Sequence, residues 1–270
     1  MAVAQTADHL RSALEQQLDE LSAKEAGVRG GDAEALHDFR VATRRSRALL
    51  RPCSGVDDLQ RELRWLAGLL GPVRDLDVLI EHTAAVVEEL DADLEGGQAL
   101  LRALETRRAD ARRRLFEGLD SERYRDLLAG FRDHLPLLGG SDRQRLLSVA
   151  ARELRRLERA RTELGADPPD ADLHRIRIKA KRTRYAAELA ARSGGKRLRR
   201  LAEAAKAVQD EIGLHQDAVV AEAQIREVAA DGSLLAAGRI VEVERARRRE
   251  ARAALPKLWK RLDRVAAKAF

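Results

Sequence analysis

Apolar residues recur along this chain at the three- and four-residue spacing of a helix, and nowhere in the sustained alternation of a strand. Leu10, Leu14, Leu18 and Leu21 follow the spacing, as do Leu146, Val149, Ala150, Leu154 and Leu157. Each such stripe defines an amphipathic helix with one face to bury. Ala, Leu, Glu and Arg, which dominate the chain, are all strong helix formers. Hydrophobic residues make up 44%, enough for a packed core, and aromatics only 3%. The expected fold class is therefore all-α. The 270 residues suggest one large domain or two of about 135.

Gly, Pro and Asp clusters predict where helices break. They fall at Gly27 to Asp32, Pro52 to Gly55, Gly71-Pro72, Gly96-Gly97, Gly139-Gly140, Asp167 to Asp170, Gly194-Gly195 and Asp231-Gly232. Helices joined by such short turns pack as a bundle. The break at Pro136 to Asp142 lies near the midpoint.

Around that midpoint the chain repeats itself. Leu36-His37-Asp38-Phe39-Arg40-Val41-Ala42-Thr43-Arg44-Arg45-Ser46-Arg47 returns as Leu173-His174-Arg175-Ile176-Arg177-Ile178-Lys179-Ala180-Lys181-Arg182-Thr183-Arg184, offset by 137. A fainter pair, Leu70-Gly71-Pro72-Val73-Arg74-Asp75 and Ile212-Gly213-Leu214-His215-Gln216-Asp217, is offset by 142. The expectation is two similar helical halves, 1–138 and 139–270, related by internal duplication and a pseudo-two-fold axis and working as one functional domain. The period is too long for a solenoid repeat.

The repeats hold the positive charge. Residues 36–51 carry +4 and residues 173–188 carry +5, against +6 for the whole chain, so everything else sums to −3. At 100° per residue His37, Arg40, Arg44, Arg47 and Arg51 fall within about 80° of one another. His174, Arg177, Lys181 and Arg184 repeat that stripe, and Arg45 and Arg182 flank it. From position 37 to 47 it runs roughly 15 Å, longer than one orthophosphate and suited to a linear polyanion. A solvated charged face is the plainer reading, but like charges at i,i+4 oppose helix formation by about 0.2–0.5 kcal/mol per pair. Other helices avoid this by mixing acid with base, as at Arg61-Glu62 and Arg152-Glu153. Arginine forks suit phosphate oxygens and stay charged; Lys179 and Lys181 add point charges. Asp32 and Asp170 are candidate N-caps, which puts His37 and His174 in the first two turns. Asp75 and Asp217 either hold a stripe arginine from the neighbouring helix or start helices after Gly71 and Gly213.

Catalytic signatures are missing: no P-loop, no Gly-x-Ser-x-Gly, no His-Glu-x-x-His. The repeats hold almost no carboxylates to carry Mg²⁺ for phosphoryl transfer. Neither repeat has metal-ligand spacing. The expectation is binding without chemistry: not an enzyme, with no cofactor and no metal. Cys53, the only cysteine, permits no intrachain disulfide. No basic leader or spanning apolar run is seen, so a cytoplasmic chain with no membrane partner is expected. RNA or another nucleic acid is the alternative ligand, disfavoured because only Phe39 and Tyr185 lie in or beside the repeats to stack bases. An enzyme that processes such a polyanion is a weaker alternative.

The paired Leu-His-x-x-Arg motifs, with Leu70-Gly71-Pro72-Val73-Arg74-Asp75-Leu76-Asp77, resemble the CHAD domain family, named for conserved histidines in an α-helical domain. The resemblance covers essentially the whole chain. It implies two four-helix bundles about a pseudo-two-fold, with basic helices lining a shared surface or channel. It also implies binding of inorganic polyphosphate and location at polyphosphate granules, where granule-associated proteins would be partners. By motif position the ligands would be His37, Arg40, Arg44, Arg45, Arg47, His174, Arg177, Lys181, Arg182 and Arg184, extended by Arg51, Arg74 and Lys179. Arg44 is matched by Lys181 and Arg74 by Gln216, so the halves need not bind equally.

Overall fold

The computed structural model of the chain describes residues 2–51, 53, 55–89, 94–137, 143–192 and 195–270. Among these the regular structure is helical, without strands: α1 (Ala2–Arg29), α2 (Ala33–Leu50), α3 (Asp57–Glu88), α4 (Leu94–Asp120), α5 (Glu122–His134), α6 (Arg143–Thr162), α7 (Asp170–Arg192), α8 (Lys196–Val228) and α9 (Leu234–Ala266). The chain is all-α, as its periodicity requires.

Packing divides it into two units. The N-terminal unit holds Leu10–Gly139 and Gln224–Val241; the C-terminal unit holds Met1–His9, Gly140–Ala223 and Glu242–Phe270. Helices α1, α8 and α9 thus contribute residues to both. The expected boundary between 138 and 139, and the breaks at Gly139-Gly140 and Gly194, lie outside the described residues.

In the N-terminal unit, Leu10, Leu14, Leu18 and Leu21 are all buried, so the α1 stripe faces the core. The α1–α2 turn is closed by Schellman bonds: Asp32 N–H donates to the Gly27 carbonyl at 2.9 Å and Gly31 N–H to Val28 at 3.1 Å. Gly31 takes φ +84°, open to glycine at no steric cost. Asp32 then caps α2, its carboxylate accepting from the Glu34 and Ala35 amides at 2.8 and 3.3 Å. Gly27 allows close approach, since a Cβ there would lie 2.6 Å from the Ala35 Cβ.

Helix α2 has two opposed faces. Ala35, Leu36, Phe39, Ala42, Thr43, Ser46 and Leu50 are buried. Thr43 and Ser46 satisfy their hydroxyls on the carbonyls of Phe39 and Ala42, both at 2.9 Å. The basic stripe occupies the other side.

The break expected at Gly71-Pro72 does not occur, because both lie inside α3. Leu59, Leu63, Leu66, Leu70, Val73, Leu76 and Leu79 form one buried stripe that runs straight past them. Pro72 offers no N–H to the Gly68 carbonyl, but both residues are exposed, where water can serve that oxygen. Gly96-Gly97 likewise falls within α4. A Cβ at Gly97 would come 2.7 Å from both Val87 Cγ atoms, so glycine there serves close helix packing. Gly213 lies within α8. Asp75 and Asp217 are therefore mid-helix residues, not helix starts.

In the C-terminal unit, α7 buries Leu173, Ile176, Ala180, Thr183 and Ala187. Thr183 Oγ1 donates to Lys179 O at 3.0 Å, and Glu153 O of α6 lies 3.1 Å away. Leu201, Ala205, Val208 and Ile212 supply the buried face of α8.

Candidate functional site

Helices α2 and α3 pack as an antiparallel pair. Gln60 Nε2 donates to Leu50 O at 3.1 Å near one end. Towards the other end, Arg40 Nη1 donates to Asp75 Oδ1 at 2.7 Å and to the Gly71 carbonyl at 3.3 Å. This register sets the basic stripe of α2 beside Arg64, Gly68, Gly71 and Asp75, which recur on one face of α3 at spacings of four, three and four. Nothing lies within 4 Å of where a Cβ would stand at Gly68 or Gly71, so that strip of α3 is open.

Asp75 holds a stripe arginine from the neighbouring helix, one of the two roles expected of it. Its carboxylate orients Arg40 without covering the stripe. His37, Arg45 and Arg51 are exposed; Arg40, Arg44, Arg47 and Arg74 are half-buried. The pKa of Arg47 is held below its ordinary value, first by burial and then by the charge of Arg64. The register of the helix pair sets Arg64 of α3 beside Arg47 of α2. Among the described residues no carboxylate pairs with Arg45, Arg47, Arg64 or Arg74. Arg64 was missed from the sequence because nothing in its own segment marks it. The 142-residue offset offers one signal, since it aligns Arg64 with Lys206.

Helices α7 and α8 form a second antiparallel pair. Arg184 Nη1 reaches Gln209 Oε1 at 3.4 Å, and a Cβ at Gly213 would lie 3.4 Å from Arg177 Nε. Arg177 therefore lies against Gly213 much as Arg40 lies against Gly71, but its buried Nε has no hydrogen-bond partner. His174 is exposed, and Lys181 and Arg182 are half-buried. Arg184 is engaged within its own unit. Its side chain is 12% exposed and bonds Glu188 Oε1 at 2.7 Å. Burial works against its charge, yet the hydrogen bond and charge of Glu188 outweigh it and hold the pKa above the ordinary value. Lys206 is likewise ion-paired to Asp210. Lys179 does not join the stripe, being about 180° around the helix from its centre.

Asp170 does not cap α7. It is the first helical residue, and its carboxylate is drawn to α9: Oδ1 lies 2.7 Å from Arg252 Nη2, and Oδ2 lies 3.4 Å from Arg248 Nη1. Fully buried His215 of α8 completes the cluster, its Nε2 accepting from Arg252 Nε at 3.1 Å and lying 3.2 Å from Asp170. This knot fixes the start of α7 and hence the position of His174. Burial, then the charge of Arg252, pushes the His215 pKa below its ordinary value, so the folded protein disfavours its protonation. As pH falls through the unfolded-state value, the unfolded chain gains a proton the folded chain refuses, and stability drops. Thermal unfolding at about pH 7.5 and 5.5 should show an acid loss in the wild type that His215→Gln lacks; equal losses would refute this role.

The model of the CHAD domain matches residues 12–226. The chain belongs to the CHAD domain family. The crystal structure of the CHAD domain from the plant Ricinus communis superposes with a TM-score of 0.70 at 28% identity, covering 97% of this chain and 90% of that one. PptA from Streptomyces chartreusis superposes with a TM-score of 0.74 at 21% identity, covering 94% of this chain and 99% of that one, a likeness of fold. Two uncharacterised proteins from strains of Mycobacterium tuberculosis are each 30% identical over 233 residues, 79% of this chain. This CHAD chain spans only 44% of the length of those curated relatives. Among the described residues no helix is long and apolar enough to cross a membrane.

Proposed function

We propose that this CHAD chain binds inorganic polyphosphate, without chemistry, on the α2–α3 and α7–α8 surfaces, and that it places itself and its partners at polyphosphate granules. The observation that carries the reading is the set Arg45, Arg47, Arg64 and Arg74, which has no carboxylate partner among the described residues. Elsewhere arginines are commonly paired, as in Arg29–Asp120 at 2.5 Å, Arg123–Glu62 at 2.5 Å and Arg252–Asp167 at 2.7 Å. Phosphate oxygens spaced along a chain would satisfy such cations with charge-assisted hydrogen bonds. His37 and His174 add donors at the start of each stripe, and Arg44 and Lys181 stand at its middle.

The nucleic-acid alternative fits less well. Phe39 is fully buried on the core side of α2, and Tyr185 carries Arg184 over its ring at 5.0 Å. Neither is a free platform for a base. The test is titration with polyphosphates of increasing length at fixed salt, with RNA as competitor. Affinity is expected to climb well beyond triphosphate and to withstand RNA at equal phosphate concentration. A plateau at triphosphate would exclude the extended surface, and displacement by RNA would favour the alternative.

A further inference from the structure

The two matched surfaces differ in charge. On α2 and α3, Arg47 and Arg64 have no carboxylate partner among the described residues. At the matching positions of α7 and α8 stand Arg184 and Lys206, each with a carboxylate four residues further on, Glu188 and Asp210. Glu188 stands where the first copy has Arg51, and Asp210 where it has Gly68.

Glu188 bonds Arg184 at 2.7 Å, and Asp210 engages Lys206. On the other surface the α2–α3 register sets Arg64 beside Arg47, neither with a carboxylate partner among the described residues, next to the open strip at Gly68 and Gly71. Two arginines held together in this way repel, and an anion seated between them removes the repulsion. A surface that already answers its cations with its own carboxylates offers a phosphate much less.

We propose that the surfaces hold polyanion unequally: α2–α3 is the strong site, with Arg64 as a further phosphate ligand, and α7–α8 is self-neutralised by Glu188 and Asp210. This rests on the polyphosphate reading above. Arg64 donates from α3 to the same run of phosphates that Arg47 and Arg44 engage from α2, so the strong site is a two-helix site. The weak surface contributes little anchoring of its own.

The test uses the full chain and long-chain inorganic polyphosphate at fixed salt. Arg64 is exposed, so Arg64→Ala should leave helicity and unfolding temperature unchanged. It should lower affinity about tenfold or more and reduce the salt slope by about one, with Arg64→Lys recovering part of the loss. Lys206→Ala should change affinity less than about twofold, as expected of a neutralised surface pair. Glu188→Gln combined with Asp210→Asn should raise affinity several-fold by releasing Arg184 and Lys206. Equal losses for Arg64→Ala and Lys206→Ala, or no gain from the double variant, would overturn the inequality while leaving polyphosphate binding in place. Failure of the wild type to bind polyphosphate would remove the underlying reading and this inference with it.

Discussion

Reversing Arg44 and Lys181 together to glutamate is expected to lower affinity for long-chain polyphosphate by about 100-fold or more. Each position loses a charge-assisted contact, worth about 1.5–3 kcal/mol on a charged partner, and gains a repulsive one. Helicity should not suffer. Both residues sit on the half-buried basic side, opposite the core faces of α2 and α7. Glu at position 44 would neighbour Arg40 and Arg47 at i−4 and i+3, replacing like-charge pairs by attractive ones worth about 0.2–0.5 kcal/mol each. The expected combination is binding lost with circular dichroism unchanged. Retained affinity in this variant would mean that the stripes are not the ligand surface.

Phe39→Ala should do the opposite. Phe39 occupies the middle of the motif yet is fully buried, on the face of α2 turned from the stripe. Truncating a buried phenylalanine commonly costs about 3–5 kcal/mol. For a unit of this size that corresponds to a fall of about 10 °C in unfolding temperature. Binding at a temperature where the variant stays folded should be nearly unchanged, because the side chain touches no stripe residue's charge. Denaturant melts and binding measured on the same sample separate the two effects. A stable Phe39→Ala protein that fails to bind would place the ring in recognition instead of the core.

The two variants mark what each position of the motif does. Leu36, Phe39 and Ser46 face the core, as do Leu173, Ile176 and Thr183; His37 and His174 face outwards. All of this was legible from 3.6-residue periodicity, since burial of one face forces the other into solvent. The Asp32 cap was legible too, because an aspartate after Gly30-Gly31 and before an apolar stripe has a local reason to bond the free amides. Asp170 looked similar and behaves differently. Arg248 and Arg252, some eighty residues further on, claim its carboxylate, and no local pattern announces them.

Gly71-Pro72 shows the same limit from the other side. Local preference says break, and packing says continue. Seven buried apolar residues on α3 outweigh one missing hydrogen bond on its wet face. That outcome then matters for the site, because an unbroken α3 carries Arg64 and Asp75 on one straight face beside α2.

By itself, then, the sequence determined the helical class, the two basic stripes, their faces, and the family to which the chain belongs. Those are properties of single helices and of motifs, written in residue spacing. Only the tertiary structure decided which side chains stand opposite each stripe: Asp75 holding Arg40, Arg64 set beside Arg47, Gly213 lying under Arg177. Periodicity sets the angle of a residue about its own axis. It carries no information on the register of one helix against another, which is set by the packing of both buried faces at once.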